Sequence, residues 1–401
     1  MSTDHHRLRE KVRAFADAEV TPRVPDMEHA ATVDTELATL IAQQGWIGVT
    51  IPATFGGMGA GHLAKTIIIE ELSRASGAMG AMIQASQLGT AKILHFGNQE
   101  QQRSWLPKIA AGSCLPTIAV TEPDSGSHVL GMRSTARRDG DEYVLTGRKI
   151  YVGNSHIGHL HGIVARTDPD SQGARSLSAF LVESDRPGLR VLPHRPAMGL
   201  HGFSFGELVL EECRVPAANL LGDIGDGLDI AYSSSILYGR PNLTAVALGL
   251  HQALVDQALA YVRERRLYGG PLAELPTIRH KIGLMKGRLM TARLAAYHAA
   301  HMLDRGSPCD LELINAKHLN AKAAQEAAYD AMDIHGAAGL FTDRPLERIV
   351  RDIHHVHAPA GTSDIQILRL AQGALQEAHH PQWSQRFAHS RTQTPTTSRQ
   401  N

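Results

Sequence analysis

His357-Ala358-Pro359-Ala360-Gly361-Thr362-Ser363-Asp364-Ile365 is the stretch on which the reading of this chain turns. At its centre stands Ala360, whose methyl group cannot take a proton. It closes a region, from about 226 to 378, that reads as long helices. The run 243–266 there contains no Pro and no Gly except Gly249, and the apolar-rich runs 284–303 and 311–335 follow. Further upstream, from about 113 to 222, the texture is different. Short apolar runs at 117–121, 142–146, 162–166, 178–182, 189–192 and 206–210 are separated by turn residues such as Asp139-Gly140-Asp141 and Pro187-Gly188. That spacing predicts a compact antiparallel β domain. Residues 5 to about 112 read mostly as helix, broken by Pro52 and Phe55-Gly56-Gly57-Met58-Gly59, with helical segments at 62–76, 78–95 and 98–112. The expected organisation is α+β: a helical domain over 1–112, a β domain over 113–222, a helical bundle over 223–378, and a polar, disordered tail over 379–401.

Composition narrows the function classes. The 401 residues suffice for a large core, and 40 basic residues balance 40 acidic ones, so no global field favours nucleic acid or an anionic membrane. Cys114, Cys213 and Cys309 lie far apart without metal spacing and read as free thiols of a reducing, cytoplasmic compartment. The polar start is not a secretory signal, and no apolar run reaches the ~18 to 20 residues that span a bilayer.

Four further motifs precede the opening stretch. Ala119-Val120-Thr121-Glu122-Pro123-Asp124-Ser125-Gly126-Ser127-His128 is a Gly-containing loop whose backbone can approach a polar cofactor, although taken alone it is also a plain Pro-Asp-Ser-Gly turn. Gly147-Arg148-Lys149-Ile150-Tyr151-Val152-Gly153-Asn154-Ser155 reads as a strand with a Gly turn. Arg263-Glu264-Arg265-Arg266-Leu267-Tyr268-Gly269-Gly270-Pro271-Leu272 places three arginines at a helix end, where they suit a phosphate or merely the helix dipole. Asp333-Ile334-His335-Gly336-Ala337-Ala338-Gly339-Leu340 precedes Arg344-Pro345-Leu346-Glu347-Arg348-Ile349-Val350-Arg351-Asp352, in which Glu347 and Arg351 can pair on one helix face.

In order and spacing these motifs resemble the acyl-CoA dehydrogenase family over residues 5 to 378. The resemblance implies three domains, the last a four-helix bundle, one FAD per subunit, a small-molecule acyl substrate, and a homotetramer built as a dimer of dimers. It implies that Ile118, Val120, Thr121, Gly126 and Ser127 line the flavin edge, with Tyr151, Val152 and Gly153 against the ring. Arg265 and Tyr268 would meet the pyrophosphate across a subunit interface, Asp333, Gly336 and Ala337 a neighbour's adenosine half, and Thr362 and Asp364 the cofactor side of the opening stretch. Departures from the family pattern are His128 for Asp, Tyr151 for Trp, Gly153 for Thr, Tyr268 for Phe, Pro276 for Gln, Asp333 for Gln and Ala337 for Gly.

The resemblance puts the family's base, a Glu, at Ala360, and the alternative base of some members at Gly239 in Tyr238-Gly239-Arg240-Pro241. Neither residue carries a carboxylate. Three readings remain open. A nearby His357, Asp364, Tyr238 or His156 substitutes, in a chain with 23 histidines. Alternatively the substrate is a β-keto acid whose loss of CO2 generates the enolate, similar to branches that build epoxyketone warheads in natural-product pathways. A third reading is an FAD monooxygenase using O2, and a flavin-bearing protein without catalysis is a fourth. Arg240 stands on the substrate side by the resemblance, or in a structural salt bridge. CoA thioester, carrier-protein thioester and free acid all remain open as substrates.

Overall fold

The computed structural model describes residues 1–30, 32–377 and 383–386. Six helices come first: α1 (Thr3–Phe15), α2 (Val24–His29), α3 (Thr35–Gln43), α4 (Gly61–Ala75), α5 (Gly77–Phe96) and α6 (Gln99–Ala110). Helix α4 is buried along almost its whole length, including Glu70 and Glu71. Buried carboxylates are costly unless paired. Arg9 and Arg13 of α1 pair with Glu70 and Glu71 at 2.9 to 3.0 Å, and Arg293 reaches Glu70 from the far side at 2.7 Å.

The middle of the chain forms an eight-stranded sheet: β1 (Pro116–Ala119), β2 (Thr135–Asp139), β3 (Glu142–Gly153), β4 (Leu160–Arg166), β5 (Leu177–Glu183), β6 (Leu189–Val191), β7 (Phe205–Pro216) and β8 (Leu220–Leu221). The order is β6-β7-β3-β2-β4-β5-β8, with β1 pairing to β4. The expectation of a purely antiparallel domain needs correcting, because β1 and β4 run parallel with Pro116 opposite Leu160 and Ala119 opposite Ile163. The chain between them is long enough to form a crossover, so no hairpin fixes their direction. Strand β2 escaped the sequence reading because only Ala136 in it is buried, which leaves no apolar run to see.

The third part holds α7 (Gly227–Ser234), α8 (Arg240–Glu264), a hairpin of β9 (Arg266–Leu267) and β10 (Gly270–Pro271), α9 (Pro276–Arg305), α10 (Asp310–His335), α11 (Leu346–Ile353) and α12 (Ser363–Ala374). Helices α8, α9 and α10 pack side by side, and α12 lies on α10. Gly249 lets α8 cross α4 closely, since a Cβ there would stand 2.3 Å from the Glu70 carbonyl oxygen. A π-helical turn, Ser235–Gly239, joins α7 to α8 without a break. The continuous stretch Gly227–Glu264 is therefore long and apolar enough to cross a membrane, against the expectation that no run is. Most of it is buried in the fold, as a core helix would be.

Most of the expected tail over 379–401 lies outside the described residues. Its residues Trp383–Arg386 form one helical turn, α13, so this part is not the disordered chain that its polar composition suggested. The backbone N–H groups of Trp383 and Ser384 donate to the Asp310 carboxylate at 2.8 and 2.9 Å, and the Trp383 ring lies 5.7 Å from Tyr232.

Candidate active site

The stretch 357–366 is a tight turn feeding a helix. Ala360 and Gly361 both have positive φ, 56° and 96°, and Thr362 then caps α12 by accepting from the Ile365 N–H. A non-Gly residue in the left-handed region is uncommon, so the surroundings must impose it. Two buried side chains do so. Gln366 donates through Nε2 to the Ala360 and Gly361 carbonyls at 2.9 and 3.1 Å, and Lys317 of α10 donates to the carbonyls of His357 and Gly361. Burial, then the nearby Arg240, pushes the Lys317 amine down to about 7. Neither residue was singled out in the sequence. Gln366 was visible beside the motif, whereas nothing local marks Lys317.

Gly239 meets the same turn. A Cβ on Gly239 would stand 3.2 Å from the Ala360 Cβ, 3.5 Å from Leu88 and 3.6 Å from the Ser235 hydroxyl. The two positions that the resemblance assigns to a base thus meet, with Leu88 and the Ser235 hydroxyl the next nearest side chains to position 239. The substitutes differ in availability. His156 has both ring nitrogens engaged, by Ser204 and by the Leu192 carbonyl, each at 2.9 Å. Asp364 is exposed. The buried Tyr238 hydroxyl lies 3.4 Å from both Thr50 and His95, within a cluster that includes His62 and Lys65. His357 has Nδ1 3.5 Å from Ser363 and a buried Nε2 with no hydrogen-bond partner among the described residues. Burial, then Lys317 and two neighbouring histidines, pushes its imidazole below the ordinary histidine value.

On the β side, the first two motifs come together. The Ile150 N–H donates to the Thr121 carbonyl at 2.9 Å, and Lys149 bonds the Val120 carbonyl at 3.1 Å and Glu122 at 2.6 Å. Glu122 also accepts from the Arg133 and Ser134 N–H groups. Burial opposes its charge, but Lys149 and these donors hold its carboxyl below the ordinary value. The Thr-Glu-Pro loop and β3 are therefore locked by a buried ion pair. Ile118 and Val120 are half-buried, Gly126, Ser127 and His128 are exposed, and Val152 is buried in the sheet. A bulge in β3 between Lys149 and Val152 puts Tyr151 at φ 56° and leaves its ring 59% exposed. Bulges of this kind re-aim side chains. Tyr151 stacks on Phe205 at 5.5 Å, and Phe203 and Phe205 meet the His355 ring, two residues before the opening stretch, at 5.8 and 5.5 Å.

The remaining motifs gather at the other end of α8. The Tyr261 ring stacks on His335 at 4.2 Å and its hydroxyl donates to the His335 carbonyl, which joins the C-terminal ends of α8 and α10. Asp333, which the resemblance places on the cofactor, pairs with Lys281 at 2.7 Å. Helix α8 has 25 residues, about 37 Å at 1.5 Å per residue. Gly239 and Arg265 flank its opposite ends, a span no single dinucleotide bridges.

These residues fit FAD. Tyr151 offers an exposed flat ring, and Ser127 is exposed and Thr121 half-buried in the loop bonded to the same strand. At the far end the Arg265 guanidinium is exposed and has no partner among the described residues, Tyr268 is 88% exposed at the hairpin tip, and a Cβ on Gly336 would meet open space.

Comparison with known proteins agrees across the chain. The acyl-CoA dehydrogenase N-terminal domain matches residues 2–113, the middle domain 117–213 and the C-terminal domain 225–375. An acyl-CoA dehydrogenase of Bacillus subtilis (strain 168) is 36% identical, covering 92% of this chain and 97% of that protein. A 3-(aryl)acrylate reductase of Clostridium sporogenes (strain ATCC 15579) is 33% identical over 92% and 98%. Butyryl-CoA dehydrogenase from Megasphaera elsdenii superposes with a TM-score of 0.91 at 27% identity over 94% and 99% of the two chains. The prolyl acyl carrier protein oxidase AnaB gives 0.88 at 30% over 93% and 99%, and an FAD complex of PigA 0.89 at 26% over 94% and 99%. With all three domains matched and FAD-bound structures among its likenesses, the chain belongs to the acyl-CoA dehydrogenase family and is an FAD-dependent oxidoreductase.

Proposed function

We propose that the substrate is an acyl compound that generates its own carbanion, best a β-keto acid, and that the reaction is decarboxylation coupled to desaturation. The observation that carries this is the vacant pair: Gly239 and Ala360 face each other with Leu88 and Ser235, and neither brings a carboxylate. A positioned base contributes roughly 10² to 10⁴-fold, so a site without one needs another source of the enolate. Breaking the bond to the carboxyl carbon leaves its electron pair on the substrate as the enolate while CO2 departs, and no proton needs accepting. Bound FAD supplies the acceptor for the hydride that leaves the β-carbon, giving an enone. The chain's own part is to hold the reactants and exclude water. Ala360 and Leu88 give an apolar wall, which favours loss of a desolvated carboxylate. Thr121, Ser127, Tyr151, Thr362 and the Gly153 backbone hold the ring, and Arg265, Tyr268, Gly336 and Ala337 of a second copy hold the rest. The separation along α8 supports that sharing and hence a homo-oligomer, for which the family likeness suggests a tetramer. Three buried free cysteines suit a reducing, cytoplasmic setting. The likeness to a carrier-protein oxidase makes a carrier-bound acyl group a natural alternative to a CoA thioester.

Anaerobic mixing of the holoenzyme with a 2-alkyl-3-oxo acid should bleach the flavin with one CO2 released per flavin reduced. Bleaching by a saturated acyl-CoA, without CO2, would overturn the proposal. The unpartnered Nε2 of His357 favours a second reading, an ordinary α,β-dehydrogenase with a relocated base. In that case His357→Gln abolishes the acyl-CoA bleaching.

A further inference from the structure

We propose that Ser235 is a specificity-determining residue whose hydroxyl donates a hydrogen bond to the carboxylate of the substrate acid and holds that group beside Gly239 and Ala360. The inference deepens the reading above and rests on it.

Ser235 opens the π-helical turn Ser235–Gly239, in which the Arg240 N–H donates to the Ser235 carbonyl. Such turns are rare in proteins and frequent at functional sites. Gly239 lies about one turn further on, so the two residues share a face, and a Cβ on Gly239 would stand 3.6 Å from the Ser235 Oγ. The two nearer atoms are carbons of Ala360 and Leu88, at 3.2 and 3.5 Å. Ser235 is thus the nearest polar side chain to the place that a carboxylate on position 239 would fill. Its hydroxyl is also free to bind. Helical hydroxyls elsewhere in the chain return to the carbonyl four residues back: Thr66 to His62, Thr90 to Ser86 and Thr244 to Arg240, at 2.8 to 2.9 Å. Ser235 makes no such bond, nor any other among the described residues, and it is half-buried. The flanking Ser233 and Ser234 hydroxyls are also without partners, but both residues are sealed in the core at 2% exposure.

The chemistry puts the carboxylate in the same place. A base lies along the C–H bond that it breaks. When a C–C bond breaks instead, that bond takes the same alignment with the forming enolate, so the carboxyl group stands where the base would. Positions 239 and 360 offer it a hydrogen and a methyl, and Leu88 adds an apolar side chain. A carboxylate with no donor there would bind poorly. One hydroxyl fixes its orientation while the rest of its hydration stays stripped, which favours loss of CO2. The bond to carbon breaks with its electron pair left on the substrate, and the hydroxyl keeps its proton throughout. An acyl compound that lacks the carboxylate leaves the hydroxyl unpaired and is disfavoured.

The test is titration of the FAD-loaded enzyme with a matched pair that cannot lose CO2, 2-ethyl-3-hydroxybutanoate and its descarboxy analogue pentan-2-ol, followed by calorimetry and by the flavin difference spectrum. Ser235→Ala should weaken the acid ~10-fold, the loss expected for a hydrogen bond to a charged group, and leave pentan-2-ol unchanged. In turnover of the 2-alkyl-3-oxo acid the same variant should raise KM by a similar factor without lowering kcat, since the bond is made to the bound acid and not to what remains after CO2 leaves. Native affinity for the acid in Ser235→Ala, or equal weakening of both ligands, overturns the proposal. If Ser235→Ala does not load FAD, Ser235→Cys decides: its thiol keeps the volume but donates weakly, so the acid must again weaken, and native affinity overturns the proposal. Failure here is separable from failure of the decarboxylation reading, because CO2 release by the native enzyme is measured independently.

Discussion

Gly153 shows how a single residue is bound to its surroundings. The family resemblance implies a Thr, but a Cβ here would stand 2.8 Å from the Ala85 Cβ and 3.1 Å from the Phe203 ring. Ala85 belongs to the buried face of α5, which cannot retreat. Gly153→Thr is therefore expected to cost about 1 to 3 kcal/mol through overpacking. It should lower Tm and FAD retention, with Ala85→Gly restoring part of both. An unchanged Tm would show that the contact is soft. Ala360 is the complementary case. Its left-handed backbone is held by Gln366 and Lys317 through main-chain carbonyls, so the turn does not depend on what side chain position 360 carries. That explains how the segment can keep its shape with a methyl at its centre. The sequence displayed the Ala; Lys317, over forty residues away, could not be connected to it without the fold.

At the scale of elements, α13 was the least expected. Its polar surroundings suggested nothing to bury, yet Trp383 meets Tyr232, Ser384 accepts from the Cys309 N–H, and Asp310 receives two backbone donors. Four residues are too short for a periodicity to show. Asp310→Ala should release α13 and expose the Cys309 thiol, now 1% exposed and pushed by burial up to about 12. Thiol labelling should then rise well above the native rate, and an unaltered rate would mean that α13 is held by other contacts. The long helices were legible because their apolar positions recur over many turns, as in α8 and α10. The β1–β4 pairing was not, because β propensity says nothing of which strand is the neighbour or which way it runs. The bulge at Tyr151 belongs with it: the register of β3 against β7 is a property of two strands.

Across the whole molecule, buried titrating groups give a pH dependence with a definite sign. Burial pushes Lys65, Lys92 and Lys317 down to about 7, from an ordinary 10.5. Above pH 7 the unfolded chain therefore binds more protons than the folded one, and stability rises with pH. Burial pushes Cys114 and Cys213 up to about 11, from 9.0, so above pH 9 the unfolded thiols ionise first and offset part of that rise. Tm should climb between pH 7 and 9 under reducing conditions and climb less steeply above that. Lys92→Met, which removes a buried amine that donates to the Thr117 carbonyl, should flatten the climb. A Tm that falls steadily from pH 7 to 9 would contradict the burial of these amines.

The sequence by itself determined the family, the helical, sheet and helical order, and the lack of a carboxylate at positions 239 and 360. Those properties are written in residue identity and spacing, which survive without three-dimensional information. Only the tertiary structure decided that Gly239 and Ala360 meet, that Lys317 and Gln366 hold the turn, and that α13 occupies Asp310. Those are contacts between residues distant in the chain, and the energy of a buried charge depends on what packs around it rather than on its neighbours in sequence.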